Sequence, residues 1–299
     1  MKSLYELLRR SATTNPRSLA VLSPNQTGRL GESLSYSELA SLSRGLAAYL
    51  KATNVTPGSV VVSDLPNIAE NLVLQLACSQ LGAAYATVKD NEGLTALNNT
   101  YNVVGCVPTS IESWLITEFD LDEGVVLLGT DFENNCGDWM KHGSSFTTTP
   151  SDDDRAHAYF NSTKALNGSE IVDLGQQTST QLHMTDKDRV CVSITLCHSF
   201  GIASGVGSIF TAGAGLILPA VGGIKGCGIP SERAIATLQT LTDTDSTLLL
   251  ADTHIVKNFP EEATLKALRG GIVKTGSGST FLKETVSFAG VDLITMGKV

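Results

Sequence analysis

Leucines at helical spacing open the chain. Leu4, Leu7 and Leu8 share one face of a helix that Ser3-Leu-Tyr-Glu6 begins in capping-box form. The same device recurs at Ser35-Tyr-Ser-Glu38, after which Leu39, Leu42, Leu46 and Leu50 carry a helix as far as Pro57-Gly58. The run 59–63 is β-branched without polar alternation, the pattern of a strand covered on both faces. Pro66-Asn67 then opens a helix over 68–81, Gly82 closes it, and 84–88 is the next strand. These three elements make a βαβ unit. Further buried strands are expected at 125–128, 190–194, 215–218, 247–250, 271–273 and 291–294, with amphipathic helical stretches at 231–241 and 280–289. The fold class is α/β, with largely parallel sheets flanked by helices. The polar stretch 134–154 separates a first part, 1–150, from a second α/β part, 151–299. Its acidic run, Asp152 to Asp154, reads as a solvated loop, because three adjacent carboxylates cannot all face one ion.

Composition narrows the function. The chain has 299 residues, 42% of them hydrophobic and 17% charged, which excludes a disordered protein. A net charge of −9 removes the basic footprint that nucleic acid requires. Six cysteines are scattered without a CxxC pair, so buried thiols in a reducing compartment are expected rather than a zinc site or a disulfide framework. The most apolar run, 200–221, is broken by five glycines and does not span a membrane. The basic, amphipathic start is compatible with a mitochondrial address, the alternative being the cytoplasm.

Several segments, taken in order, resemble the N-terminal half of the adenylate-forming enzymes, the acyl-CoA synthetase and AMP-ligase family. They are Leu4-Tyr-Glu-Leu-Leu8, Ser35-Tyr-Ser-Glu-Leu39, Asn54-Val-Thr-Pro-Gly-Ser-Val-Val-Val62 and residues 75–87 in the first part. In the second part they are Asp188-Arg-Val-Cys-Val192, Leu196-Cys-His-Ser-Phe-Gly201 and Leu268-Arg-Gly-Gly-Ile-Val273 with Gly276-Ser-Gly278. The resemblance implies a remnant acyl or nucleotide pocket at His198, Phe200, Gly201, Gly276, Ser277 and Gly278.

It also implies a phosphate loop of the form Ser-Gly-Thr-Thr-Gly-x-Pro-Lys, in which glycines admit phosphate to the backbone and the lysine neutralises it. The matching stretch departs from that form. Ser162 and Ala165 stand at the glycine positions, Asn167 at the proline and Gly168 at the lysine, while Thr163 and Lys164 lie between them. A Cβ where phosphate must approach is costly, and a displaced ammonium does not reach the same oxygens. Met296 occupies the place of the adenine-stacking aromatic and Lys298 that of a polar ligand. An acidic ribose ligand and a C-terminal catalytic domain would lie beyond residue 299.

The expectation is therefore a catalytically inactive relative, with no cofactor and no metal, serving as a structural or accessory subunit beside other protein subunits, for instance in a respiratory or ATP-synthase assembly. A sensor that keeps the remnant pocket is the alternative, and a ligase completed by another chain is a third. Other chemistries fit less well. The spacing of Gly201, Gly205 and Gly207 is not a dinucleotide fingerprint, and Ser204, Ser208 and Ser279 lack a nucleophile elbow. His157 reads as the start of a strand rather than a metal ligand.

Overall fold

The computed structural model describes residues 3–24, 30–88, 90–107, 115, 146, 156–160, 164–220, 228–259 and 264–298. The first two helices start at the expected serines, with a side-chain N-cap at Ser3 and a full capping box at Ser35. The Ser3 hydroxyl accepts the Glu6 N–H at 3.2 Å at the head of α1 (Leu4–Thr14). At the head of α2 (Tyr36–Ala52) the Ser35 hydroxyl accepts from Glu38 N–H, and the Glu38 carboxylate accepts from Ser35 N–H at 2.7 Å. Between these helices the chain forms β1 (Leu19–Pro24) and β2 (Leu30–Ser35). The sequence pattern had not announced this hairpin.

The predicted βαβ unit is present as β3 (Val60–Ser63), α3 (Ala69–Leu81) and β4 (Ala84–Thr87), with β3 and β4 parallel. Gly82 closes α3 at φ 69°, a left-handed conformation that glycine adopts without a Cβ penalty. After α4 (Asn91–Thr100) come β5 (Val103–Val107), β6 (Ala156–Phe160), β7 (Lys164–Asn167) and α5 (Gly168–Gln181). Then follow β8 (Arg189–Val192), a π-helix (Phe200–Gly207), α6 (Ser208–Ala212), β9 (Gly215–Ile217), α7 (Pro230–Asp243), β10 (Leu248–Asp252) and α8 (Thr253–Val256). The final strands are β11 (Gly270–Thr275), β12 (Thr280–Phe288) and β13 (Val291–Gly297).

Two sheets result. The larger runs β12-β13-β11-β10-β8-β9-β1-β2, and the smaller β5-β3-β4-β6-β7. Inner pairs are parallel, while β12, β2 and β7 are antiparallel edges. Both sheets draw strands from either side of residue 150.

Each sheet turns one face to a shared core. Val61 and Tyr85 reach it from the small sheet, Val190, Leu250, Ile272 and Met296 from the large one, with α1, α2, α3, α5 and the π-helix contributing the rest. The opposite face of the large sheet packs on α7 and α8, and that of the small sheet on α4. Two-sided burial explains the unbroken apolar run of β3, where Val60 and Val62 face one cluster and Val61 the other.

One predicted element is overturned. Residues 280–289, expected as a helix, form β12, antiparallel to β13 across a turn at Ala289 (φ 50°) and Gly290 (φ 79°). Two consecutive positive φ angles suit a two-residue hairpin turn, and the β-branched content of 280–288 favours the strand. The strand expected at 125–128 and nearly all of the boundary stretch 134–154 lie outside the described residues.

Candidate functional site

The segments that follow β8, β11 and β13 lie at the carboxyl edge of the large sheet, the edge where open α/β sheets bind ligands. Residues 193–199 leave β8 there and lead into the π-helix, a form frequent at functional sites. The Phe200 N–H donates to His198 Nδ1 at 3.3 Å, the His198 N–H donates to the Thr195 carbonyl at 3.1 Å, and the His198 side chain is exposed. Gly201 is required at this bend, since a Cβ would overlap the Thr195 carbonyl.

Helix α3, a part of the small-sheet unit, fixes this segment through its amides. Asn67, just before α3, donates to the Ile194 carbonyl and accepts the Leu196 N–H, both at 2.9 Å and both buried. Gln75 donates to Asn71 Oδ1 at 2.9 Å and to the Leu196 carbonyl at 3.3 Å. Asn71 in turn holds the Leu65 and Pro66 carbonyls. Beside the segment, the Tyr85 hydroxyl lies 3.8 Å from Cys197 Sγ. Burial and the neighbouring Cys197 push the Tyr85 phenol well above its ordinary pKa, so it stays neutral.

The neighbouring segments of this edge belong to β11 and β13. Gly276 (φ 96°) and Gly278 (φ 90°) make the turn after β11. At Gly278 a Cβ would also stand 2.7 Å from the Gly297 carbonyl, so the turn closes directly onto the end of β13. Met296 is fully buried, with the Ser204 hydroxyl of the π-helix 3.7 Å from its sulfur. Lys274, the register partner of Met296, is only 7% exposed, and its ammonium lies 5.8 Å from the centre of the Phe200 ring.

The residues His198, Phe200 and Gly201 thus sit on one segment, with Lys274 of β11 linked to Phe200, while Gly276, Ser277 and Gly278 form the exposed turn at the end of β11. Ser162 and Thr163 lie outside the described residues. The backbone of Lys164 and Ala165 forms β7, paired with Phe160 and Tyr159 of β6. Gly168 is the buried first residue of α5, and the Asn167 N–H before it donates to the Glu170 carboxylate at 2.8 Å. Helix α5 meets the site through Gly175, which abuts the backbone of Gly207 so closely that a Cβ would stand 2.6 Å from it.

Sequence reasoning missed the α3 amides and Lys274. A lysine closing the apolar run 271–273 was the available signal for the latter. His157 is in β6, as read, and among the described residues no group of three or more His, Cys, Asp or Glu is placed to hold a metal. A cavity of about 200 Å³ between the end of α7 and residues 264–268 lies at the opposite, amino-terminal edge of β10 and β11, away from this chemistry.

Comparison with known proteins agrees with this geometry. The family described as AMP-binding enzyme matches residues 8–109. A malformin synthetase of Aspergillus tubingensis is 37% identical over 87 residues, which is 29% of this chain and 2% of that protein. The anthranilate CoA ligase AuaEII, solved in complex with anthranoyl-AMP, superposes with a TM-score of 0.75 at 14% identity, covering 98% of this chain and 58% of that one. The N-terminal domain of FACL13 from Mycobacterium tuberculosis gives 0.73 at 15% identity, covering 100% of this chain and 76% of that domain. The chain thus has the fold of the N-terminal domain of adenylate-forming enzymes. Residues 8–109 match the AMP-binding enzyme family, and the chain spans only about 2% of the length of the curated synthetase it matches.

Proposed function

We propose that this chain uses the adenylate-forming frame to bind an acyl acid or a nucleotide without adenylating it. The observation that carries this reading is the β6–β7 region. In the register of the resemblance the phosphate-loop lysine falls on Gly168, and Gly168 is the buried first residue of α5. Adenylation depends on cations and backbone donors that absorb charge developing on the phosphate. In that register, Gly168 supplies no cation at the lysine position to meet such charge. By contrast the segment that leads to His198 and Phe200 is anchored at Ile194 and Leu196 by Asn67 and Gln75.

Two measurements on the 299-residue chain test the proposal. Titration calorimetry with hexanoate, hexanamide, AMP and adenosine is expected to give saturable heat for at least one compound. Carboxylate-dependent exchange of pyrophosphate into ATP is expected to be absent, and its appearance overturns the reading of Ser162, Ala165 and Gly168.

A second reading makes the chain an accessory subunit of a larger assembly, mitochondrial in the version the amino terminus suggests. Its support is Ile229 and Ile235 at the head of α7, which are 56% and 65% exposed. Native mass measurement from the source cells tests it, and a species found solely as a monomer excludes it.

A further inference from the structure

We propose that the cavity between the carboxyl end of α7 and residues 264–268 binds a free α-amino acid whose apolar side chain is about the size of leucine's, at a site separate from the carboxyl edge of the large sheet. Its volume is about 200 Å³. A cavity of about 150 Å³ accommodates benzene, so a leucine side chain is of the right size. Leu241, Leu265 and Leu268 line it, all three buried in the cluster between α7 and the large sheet. They supply an apolar floor, and the polar groups around it decide which molecule that floor holds.

Asp245 and Lys266 line the same cavity, and both are exposed. They do not pair with each other, and neither side chain has a hydrogen bond or ion pair among the described residues. Asp245 follows the end of α7 at φ 48°, where the Ser246 N–H closes the helix on the Leu241 carbonyl at 3.2 Å. Glycine or asparagine serves such a left-handed position without a charge, and a carboxylate beside the negative end of a helix dipole is unfavourable. A bound ammonium would relieve both the carboxylate and the helix end. Lys266 offers the complementary cation to a carboxylate. A free amino acid carries both charged groups on the carbon that bears its side chain, so one molecule answers Asp245, Lys266 and the three leucines together. A fatty acid or an alkylamine would leave one of the two charges unanswered.

The test is calorimetric titration of the 299-residue chain, of Asp245→Asn and of Lys266→Gln with three probes: leucine, leucinamide, which lacks the carboxylate, and N-acetylleucine, which lacks the ammonium. The wild type is expected to give saturable heat with leucine and to bind each blocked form about tenfold more weakly, the size of a hydrogen bond to a charged group. Lys266→Gln should remove the advantage of leucine over leucinamide, and Asp245→Asn its advantage over N-acetylleucine. Both positions are exposed, and asparagine accepts the left-handed backbone at 245, so both variants should keep the wild-type melting point. Absence of saturable leucine binding overturns the proposal, and so do equal affinities for the free and blocked forms. Leucine binding that both variants leave unchanged overturns it as well, because the ligand then sits elsewhere in the molecule. None of these outcomes bears on the hexanoate and AMP titrations, since the cavity lies at the edge opposite His198.

Discussion

Acid should destabilise this protein through His157. The side chain is 3% exposed on β6, and by strand alternation it lies opposite the face of Ala158, which pairs with Tyr85 and Leu166. Its Nε2 has no hydrogen-bond partner among the described residues. Burial alone lowers its pKa from 6.5 to about 4. The unfolded chain therefore takes up a proton at this residue first as pH falls, and between pH 6.5 and 4 every step of acidification favours unfolding. The full gap, at about 1.4 kcal/mol for each tenfold in proton affinity, corresponds to about 3 kcal/mol below pH 4, and about 2 kcal/mol of it is already lost at pH 5. Urea unfolding followed by circular dichroism at pH 7.5, 6 and 5 measures this directly. His157→Leu cannot titrate, so the stability difference between variant and wild type should move in favour of the variant by about 2 kcal/mol between pH 7.5 and 5. Carboxylates that also lose stability in acid are common to both proteins and cancel in the difference. Parallel pH profiles for the two proteins would refute the reasoning.

Other outcomes follow from the same contacts. Asp188 accepts from Arg269 at 2.8 and 2.9 Å, from Thr247 at 2.7 Å and from the Thr185 N–H at 2.7 Å. Burial works to raise its pKa, but these donors outweigh it and hold the carboxyl below its ordinary range. Asp188→Asn should cost about 2–4 kcal/mol in urea unfolding at pH 7, and less as the pH falls through the carboxylate range. Arg269→Ala should cost only about 1 kcal/mol, because that side chain is 41% exposed and solvent screens the pair. Asn67→Ala should lose about 2–3 kcal/mol of stability and loosen residues 194–196, seen as faster amide hydrogen exchange there. Gly201→Ala must push the Thr195 carbonyl aside, so affinity for any ligand of the site should fall at least tenfold in calorimetry, with a melting point lowered by several degrees.

Local signals account for what the sequence disclosed. The N-cap at Ser3, the capping box at Ser35, the glycine stop at Gly82 and two-sided apolar runs such as Val60–Ser63 are written in neighbouring residues, and each is present in the structure. The helix expected at 280–289 failed because its apolar residues Phe281, Leu282, Val286 and Phe288 admit more than one period, and pairing with β13 decided between them. Of the site, His198, Phe200 and the glycine turn were legible as motif residues. Asn67, Gln75 and Lys274 were not, because their meaning lies in partners far along the chain: 127 residues separate Asn67 from Ile194, and Phe200 meets Lys274 across two elements. No local pattern encodes such distances.

The way the candidate site is held sets it apart from the β6–β7 region. Asn67 and Gln75 bind backbone groups of 194–196, and Gly201 and Gly278 are fixed by close approach to backbone carbonyls. None of these contacts involves residues 161–168. A substitution in the β6–β7 region therefore leaves the cost of disturbing the 194–201 segment unchanged, since that cost is set by buried amides left unpaired and by backbone overlap. Helix α5 links the two regions through Gly175 packed on Gly207, and β4, whose Tyr85 lies beside Cys197, pairs with β6. Restoring lysine at position 168 should accordingly alter nucleotide affinity while leaving hexanoate affinity within about twofold, the limit expected for sites coupled by less than about 0.5 kcal/mol. A parallel change in both affinities would show that the β6–β7 region and the 194–201 segment act as one unit, coupled through α5 or β4.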